Sequence, residues 1–275
     1  MAKKFAVGKG RTFRDLSDLR GRTALVVGGA GHIGRTTTDV LLELGAAVAV
    51  LDLDEPQCHQ IVAEAAVSGG RVMAVPCDLS DERSTREAVR RTIAEFASLD
   101  IIVHCAAYTG TTPIPGWVAP FEEQTVRAWD EALRVNLTSA FVIVQEAKQT
   151  LCASGHGSVI LLSSIYGMVG PDMGLYEKTE MGNPAGYGAS KGGLLQLGRY
   201  LSTVLGPGIR VNSISPGGIW RDQPEVFYER YVRRTPLARM ATEEDLKGAI
   251  AYLASDLSSY VTGQNMVIDG GWTAW

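Results

Sequence analysis

The 275-residue sequence predicts an α/β protein in which a mostly parallel sheet carries helices on both faces, a doubly wound arrangement. Two observations predict this class. Short apolar strands alternate with amphipathic helices, and a turn with four glycines in seven residues follows the first strand. No stretch rich in Pro, Gly or Ser divides the chain, so we expect an N-terminal extension at 1–20 and one domain at 21–275.

The predicted elements follow one another in a regular order. Strands are expected over Thr23–Val27, Ala47–Asp52, Arg71–Val75, Asp100–His104, Ser158–Leu162, Arg210–Ile214 and Asn265–Ile268. Helices are expected from the glycine turn to about Leu44, and over Asp81–Ser98, Glu123–Cys152, Pro184–Leu205 and Thr242–Ser255. In the longest helix, apolar residues recur at three- and four-residue steps, which predicts a core face of Val126, Trp129, Leu133, Leu137, Phe141, Val144 and Leu151.

Composition argues against several classes of protein. The net charge is −4 and no long basic run occurs, so nothing favours a nucleic acid or an anionic membrane as partner. No segment approaches the length of a membrane span, and no apolar stretch follows the N-terminal lysines as in a secretory signal. The four cysteines and four histidines lack metal-ligand spacing, so we expect no metal, reduced thiols and a cytoplasmic location.

The glycine-rich turn joins a strand to a helix, which is the context of a dinucleotide-binding fingerprint. The glycines fit two registers, Gly29-x-Gly31-x-x-Gly34 and Gly28-x-x-Gly31-x-x-Gly34, and the sequence leaves both open. Either register allows a tight turn and a close approach of the backbone, so the helix N-terminus can meet a pyrophosphate. The residues expected to contact a dinucleotide here are Gly28, Gly31, His32, Ile33 and Gly34.

An acidic residue, Asp52, ends the second strand 18 residues after Gly34. A carboxylate at this place can accept hydrogen bonds from the adenosine ribose and repel a 2′-phosphate, which favours NAD over NADP. Arg35, directly after the glycine turn, is the one residue that weakens this preference. The ends of the third and fourth strands are expected to border the same crevice, at Asp78, Leu79, Cys105, Ala106 and Ala107.

Tyr187 and Lys191 stand four residues apart at the start of an apolar helical stretch, and Ser164 follows a strand upstream. Residues four apart on a helix share one face, so the phenol and the ammonium can point into one cleft. A nearby cation typically lowers the pKa of an acid by about 1–3 units, which predicts a phenol that exchanges its proton close to neutrality. An isolated pair at this spacing is often only an exposed helix pair, so the other motifs give this one its weight.

Taken in order, these motifs resemble those of the short-chain dehydrogenase/reductase family. The match spans nearly the whole chain and comprises the glycine turn, Asp52, Asp78, Asn136, Ser164, Tyr187-x-x-x-Lys191, Pro216-Gly217 and the stretch from Gly263-Gln264 to Asp269-Gly270-Gly271. The resemblance implies a single Rossmann-fold domain of about seven strands. It also implies a homo-oligomer, either a tetramer or a dimer, and a nicotinamide cofactor that is bound in addition by Pro216, Gly217 and Ile219.

The resemblance further assigns roles to four residues and implies hydride transfer between NAD, in preference to NADP, and a secondary alcohol or ketone. Tyr187 would exchange the proton with the substrate oxygen. Lys191 would hold the nicotinamide ribose and lower the pKa of the phenol. Ser164 would steady the carbonyl, and Asn136 would support a water-linked proton relay.

Three features depart from the family pattern. His104-Cys105-Ala106-Ala107 stands where Asn-Asn-Ala-Gly is frequent and is closer to the epimerase-like branch, and Arg221 stands near the place of a common threonine. Ser164 and Tyr187 are 23 residues apart, more than is usual, because a segment at 171–183 is inserted. We expect the insertion to lie over the cleft, where Tyr176 reads substrate hydroxyls, or equally to form a surface loop or subunit contact.

Loops near 108–121, 171–183 and 218–240 are expected to shape the substrate site. The inserted segment, with Asn183-Pro184-Ala185-Gly186-Tyr187, resembles the flagellin-modification branch and implies a polar, sugar-type alcohol. One alternative is an epimerase or dehydratase that retains NAD, although about 60 residues after Pro216 leave little room for its substrate domain. The other is a non-catalytic dinucleotide sensor, which has no need for the serine, tyrosine and lysine together.

Overall fold

The computed structural model describes residues 10–110 and 113–275, and a seven-stranded parallel sheet forms its centre. The strands are β1 (Thr23–Val27), β2 (Ala47–Asp52), β3 (Val72–Pro76), β4 (Ile101–His104), β5 (Gly157–Leu162), β6 (Ile209–Pro216) and β7 (Asn265–Ile268). Their order in the sheet is β3-β2-β1-β4-β5-β6-β7. The predicted doubly wound fold is therefore confirmed, and the strand order reverses between β1 and β4, where such sheets bind ligands.

Helices cover both faces of the sheet. They are α1 (Phe13–Ser17), α2 (His32–Glu43), α3 (Glu55–Val67), α4 (Glu82–Phe96), α5 (Val126–Leu133), α6 (Ser139–Ser154), α7 (Ala185–Leu205), α8 (Glu225–Arg233) and α9 (Lys247–Ala254). Leu25 and Val27 of β1 pack in a core with α4, α6 and α7, whereas Ala24 and Val26 pack in a second core with α2, α3 and α9. Strands buried on both faces explain the continuous apolar runs in the sequence.

Most element bounds agree with the sequence prediction, and the differences have local causes. The strand predicted at Arg71–Val75 lies one residue later, and the helix predicted at Asp81–Ser98 ends at Phe96 because Ala97 adopts a left-handed φ of 57°. The helix predicted at Thr242–Ser255 begins as a 3₁₀ turn, Glu243–Leu246, before α9. Helix α3 was not predicted from the sequence, although its N-cap Asp54 accepts a hydrogen bond from the backbone N–H of Gln57.

The long helix predicted over Glu123–Cys152 is divided, and part of its predicted core face is wrong. A π-helical turn, Arg134–Thr138, separates α5 from α6. Val144 and Leu151 are buried as predicted, but Val126, Trp129 and Phe141 are 73%, 39% and 43% exposed. The buried face of α5 consists instead of Ala128 and Ala132, because small side chains let it approach α7 closely: a Cβ on Gly186 would lie 3.2 Å from Cα of Trp129.

Part of the predicted N-terminal extension belongs to the packed structure. Leu19 is fully buried in the core beside α2, and Asp256 forms ion pairs with Arg11 and with Arg22. Residues 1–9 of the extension and 111–112 of the first predicted loop lie outside the described residues. Within 10–110 and 113–275, no helix combines the length and apolar character needed to cross a bilayer. The same residues contain no group of three or more His, Cys, Asp or Glu that could hold a metal ion.

Candidate active site

A cavity of about 860 Å³ opens at the carboxyl ends of the strands, where the strand order reverses. It extends from Asp52 and Asp78, past the glycine turn, to Tyr187 and Lys191. Every residue predicted to contact the cofactor lines this cavity, as does Ser164. Asn136 is the exception among the predicted site residues, because it is fully buried and does not line the cavity.

The glycine turn is shaped by close backbone contacts. Gly28 has a φ of +74°, and a Cβ on it would lie 2.6 Å from Cα of Ala106. A Cβ on Gly29 would lie 2.8 Å from Cγ1 of Val50, and one on Gly34 would overlap the carbonyl oxygen of Gly28. The steric demand for glycine therefore falls on positions 28, 29 and 34, whereas Gly31 has ordinary room and a φ of −72°.

The N-terminus of α2 fits a negatively charged group. Gly31 is its N-cap and provides no side-chain hydrogen bond to the first backbone N–H groups. His32 and Ile33, the first residues of the helix, line the cavity. Free N–H groups at a helix N-terminus form a ready site for a phosphate. The turn thus fits the pyrophosphate of a dinucleotide.

The carboxylate of Asp52 is fixed at the end of β2, where it accepts a hydrogen bond from the backbone N–H of Ala30 at 3.0 Å. Arg35, which weakened the expected preference for NAD, forms an ion pair with Glu64 on α3. Among the described residues that line the cavity, the only lysine and arginine are Lys191 and Arg221. Lys191 lies at the other end of the cavity, and Arg221 follows β6, which is four strands away from β2 in the sheet, so the end of the cavity at Asp52 keeps its acidic character.

Ser164, Tyr187 and Lys191 lie together at the other end of the cavity. Ser164 follows β5, and its hydroxyl lies near enough to the phenol of Tyr187 to lower the pKa of that phenol. The ammonium of Lys191 donates to the carbonyl of Leu162 at 2.7 Å and lies 5.8 Å from the centroid of the Tyr187 ring. The turn after Ser164 packs tightly on α7, because a Cβ on Gly167 would lie 2.8 Å from the carbonyl carbon of Lys191. Local packing thus joins the strand end to the helix.

Burial dominates the electrostatics of this group. It lowers the pKa of Lys191 to about 8 and raises the pKa of Tyr187. The Ser164 hydroxyl acts in the opposite direction and lowers the pKa of Tyr187, but by less than burial raises it. The prediction that Lys191 brings the phenol close to neutrality is therefore wrong for this arrangement. The reason is geometric and dielectric: the ammonium lies over the ring and bonds to a carbonyl, while removal from water disfavours the phenolate.

Asn136 connects three elements behind the cavity. Its side-chain oxygen accepts from the backbone N–H of Tyr108 at 2.6 Å, and its amide donates to the hydroxyl of Ser190 at 2.9 Å. Ser190 precedes Lys191 on α7, so the amide links the loop after β4 to the helix that carries the lysine. The π-helical turn that contains Asn136 is a form of helix often found at functional sites.

His104 and Cys105, which depart from the family pattern at the end of β4, are both unreactive. His104 is fully buried and donates from Nε2 to Ser139, at 2.8 Å, since the Ser139 hydroxyl itself donates to a carbonyl. Burial, with the charge of Lys191, lowers the pKa of His104 to about 3, so the ring is neutral at physiological pH. Burial also raises the pKa of the Cys105 thiol to about 12, and a protonated thiol is a poor nucleophile.

The substrate end of the cavity is closed by a cluster that we call the aromatic roof: Ile165, Leu175, Tyr176, Phe227, Tyr231, Met240 and Trp272. Five of these residues belong to the loops at 171–183 and 218–240 that were predicted to shape the substrate site, whereas Ile165 and Trp272 were not predicted. Tyr231 is fixed against the chain after β6, where its hydroxyl accepts from the backbone N–H of Gly218 at 2.5 Å. Aromatic side chains at 108–121 contribute as well, because Tyr108 and Trp117 pack edge to face and line the cavity.

The insertion at 171–183 lies over the cleft and is tied to α8. Asp172 forms an ion pair with Arg234 at 2.5 Å, and Arg230 donates to the carbonyl of Glu177 at 2.6 Å. Leu175 and Tyr176 are buried in the aromatic roof, and Tyr176 lines the cavity. The insertion is therefore part of the wall of the site. Arg221 also lines the cavity and donates to Glu243 at 3.2 Å.

The fold and the site define a class of protein, the dinucleotide-binding oxidoreductases. A family model described as enoyl-(acyl carrier protein) reductase matches residues 28–273. The chain is 34% identical to cis-4-hydroxycyclohexanecarboxylate dehydrogenase of Sinomonas cyclohexanicum over 260 residues, which cover 92% of this chain and 97% of the relative. It is also 34% identical to L-rhamnose 1-dehydrogenase (NAD(P)(+)) of a Sphingomonas species over 263 residues, or 92% of this chain and 96% of the relative.

Solved structures give the same assignment. The crystal structure of the NADPH-dependent 3-quinuclidinone reductase of Rhodotorula rubra superposes with a TM-score of 0.86 at 27% identity, covering 99% of this chain and 98% of that one. The chain belongs to the short-chain dehydrogenase/reductase family. It is an NAD(P)-dependent oxidoreductase that acts on alcohol and carbonyl groups. Membership in the flagellin-modification branch stays a prediction.

Proposed function

We propose that the protein oxidises a polar, cyclic secondary alcohol, or reduces the matching ketone, with Tyr187 as proton donor and acceptor. The observation that carries the proposal is that Ser164, Tyr187 and the buried Lys191 line the same end of one cavity, with the Lys191 ammonium beside the Tyr187 ring. Two similar proteins are named for a hydroxycyclohexane and a sugar, which supports a cyclic substrate with several polar groups. Trp117, Tyr176 and Phe227 would supply flat apolar walls for its ring.

The residues divide the work between them. When bound, the nicotinamide supplies or accepts the hydride. Tyr187 gives its phenolic proton to the substrate oxygen in reduction and takes it back in oxidation. Ser164 donates a hydrogen bond to the same oxygen, and the buried ammonium of Lys191 would hold the ribose of the bound nicotinamide. Asn136 holds the loop after β4 and α7 in register, which keeps Lys191 in place.

Net hydride transfer and the role of Tyr187 are tested together. The purified protein is incubated with NAD and a panel of sugars, cyclic alcohols and hydroxy acids, and NADH is followed by absorbance. We expect Tyr187→Phe to lower kcat by at least about 100-fold, since it removes the proton-transfer group, while binding of NADH is retained. Tyr260→Phe, which alters a fully exposed phenol far along the chain from the site residues, is the matched control and should keep full activity. Product formation without net NADH would instead favour an NAD-retaining epimerase.

We also propose a preference for NAD over NADP, supported by the carboxylate of Asp52 at the end of β2. Loss of hydrogen bonds to a charged acceptor should lower kcat/KM with NAD by about 10- to 100-fold in Asp52→Ala. Because the charge that repels a 2′-phosphate is lost as well, kcat/KM with NADP should rise. Asp39→Ala removes an exposed carboxylate from α2 and serves as the control. An unchanged ratio of the two cofactors in Asp52→Ala would show that another group selects between them.

A homo-oligomer is proposed from the apolar side chains that α5, α6 and α7 leave exposed. Trp129, Phe141, Tyr200 and Val204 lie on these helices, each at least one third exposed. Exposed apolar patches commonly mark protein–protein contacts. A closed dimer through this face, or a tetramer through a second one, would cover them.

The four free cysteines support a reducing compartment, so we propose that the protein is located in the cytoplasm.

A further inference from the structure

A chain of three polar side chains crosses the substrate end of the cavity. The amide of Asn183 donates to the Tyr176 hydroxyl at 3.3 Å, and the Tyr176 hydroxyl donates to that of Tyr166 at 2.9 Å. All three residues line the cavity that also contains Ser164 and Tyr187. Neither Tyr166 nor Asn183 has a part in the proton transfer described above.

The chain of hydrogen bonds ends at a donor that has no acceptor. Tyr166 accepts from Tyr176, so the remaining hydrogen-bonding capacity of its phenol includes its own proton. Among residues 10–110 and 113–275, no group accepts that proton. Burial, followed by the neighbouring Tyr176, raises the pKa of Tyr166, so the phenol keeps its proton across the physiological range. A donor left unpaired in a half-buried site favours a ligand that brings an acceptor.

The two phenols are held in place by packing. Tyr166 belongs to the 3₁₀ turn directly after Ser164, and its ring meets Trp272 edge to face with centroids 6.3 Å apart. The ring of Tyr176 packs against Phe227 with centroids 5.4 Å apart. Side chains whose positions are fixed by packing can select a ligand by geometry, because little freedom is lost on binding.

We propose that Tyr166, oriented by Tyr176 and Asn183, donates a hydrogen bond to a second oxygen atom of the substrate. The preferred substrates are then cyclic diols and hydroxy-ketones, in which one oxygen meets Tyr187 and Ser164 and another meets Tyr166. This inference rests on the proposed function, because both concern the same cavity. It assigns to the inserted segment the task of orienting a specificity-determining phenol.

The test compares cyclohexanol with the cis and trans isomers of cyclohexane-1,2-, 1,3- and 1,4-diol, using NADH formation as the readout. We expect the wild type to prefer at least one diol over cyclohexanol. Tyr166→Phe should lower kcat/KM for that diol by roughly three- to tenfold, chiefly through KM, and leave cyclohexanol unchanged. Tyr176→Phe should reduce the same preference by a smaller factor. Tyr260→Phe, which alters a fully exposed phenol, is the matched control.

A purely structural role for Tyr166 predicts a different pattern. Its loss would then lower the unfolding midpoint and reduce kcat/KM for cyclohexanol and the diols by the same factor, which overturns the proposal. Equal kcat/KM values for cyclohexanol and every diol in the wild type overturn it as well. Both outcomes are independent of which alcohol the protein uses in the cell.

Calorimetric binding of 2-hydroxycyclohexanone and cyclohexanone separates this inference from the proposed function. If no alcohol yields NADH, but the wild type binds the hydroxylated ketone more tightly and Tyr166→Phe does not, the oxygen contact stands and the proposed function fails. If NADH forms and the two ketones bind equally well, the proposed function stands and the oxygen contact fails. If there is neither turnover nor preferential binding, both are wrong.

Discussion

Lys191 carries a buried charge whose cost should appear as a pH dependence of stability. Burial lowers the pKa of Lys191 from 10.5 to about 8 in the folded protein. At about 1.4 kcal/mol per pKa unit, this difference corresponds to roughly 3 kcal/mol. The side chain is almost completely buried, so solvent screening does not reduce the figure appreciably. We expect Lys191→Met, which keeps the stem and removes the charge, to abolish this pH dependence.

The sign follows from the protons bound by each state. Between pH 8 and 10.5 the unfolded chain still holds a proton on this amine, whereas the folded protein has released it. The free energy of unfolding therefore rises with pH across that window. Below pH 8 both states bind the proton and the folded state bears the full cost. Relative to Lys191→Met, the wild type should gain roughly 3 kcal/mol between pH 7 and 11.

The assay is urea denaturation at fixed protein concentration, at several pH values on both sides of the window. The substitution leaves the carbonyl of Leu162 without its partner, which costs about 1–3 kcal/mol at every pH alike. The comparison therefore concerns the slope with pH and not the offset. Lys148→Met removes an exposed amine from α6 and should follow the wild type. Parallel profiles for the wild type and Lys191→Met would refute the reasoning.

The remaining predictions concern the phenol, the insertion and the exposed helix face. Because burial raises the pKa of Tyr187 from its usual range, kcat/KM for alcohol oxidation should climb with pH on the alkaline side of neutrality, while ketone reduction stays level near neutrality. A plateau in oxidation by pH 8 would contradict this. Asp172→Asn breaks a half-exposed ion pair with Arg234, so the free energy of unfolding, measured by urea denaturation, should fall by less than about 1 kcal/mol. The KM for the alcohol should rise, whereas the KM for NAD should not change. Trp129→Glu should reduce the mass measured by light scattering to that of the monomer, whereas Val67→Glu on α3 should not; an unchanged oligomer would exclude this face.

The fold was predictable because strands that are buried on both faces of the sheet appear in the sequence as continuous apolar runs. The bounds of β1, β2 and β7 agree with those predicted, since each is an apolar run bounded by turn residues or charges. The pattern of apolar residues is weaker where helices pack through small side chains. The buried residues of α3 are only Cys58, Ile61 and Ala65, and this helix was not predicted. Those of α5 are alanines, so the larger, exposed Val126 and Trp129 were predicted for the core instead.

The two ends of the site differ in how far the sequence could predict them. The cofactor end consists of strand ends and one turn, so every residue predicted to contact the cofactor lies on the cavity. The aromatic roof forms only when distant segments meet, as those of Ile165, Phe227 and Trp272 do, and no spacing in the sequence relates them. The spacing of Tyr187 and Lys191 also predicted that they are neighbours, but not how completely their side chains are removed from water. This removal from water decides that the pKa of Tyr187 rises and that the pKa of Lys191 falls.

Burial leaves the site in one definite protonation state. It lowers the pKa of Lys191 to about 8 and raises the pKa of Tyr187, so at neutral pH the amine is charged and the phenol retains its proton. As pH rises, the amine loses its proton before the phenol does, so a phenolate beside an ammonium is not the resting state. A protonated phenol near Ser164 is the state that reduction of a carbonyl requires. Oxidation must first remove that proton, which predicts that the two directions separate by pH and that reduction is favoured at neutrality.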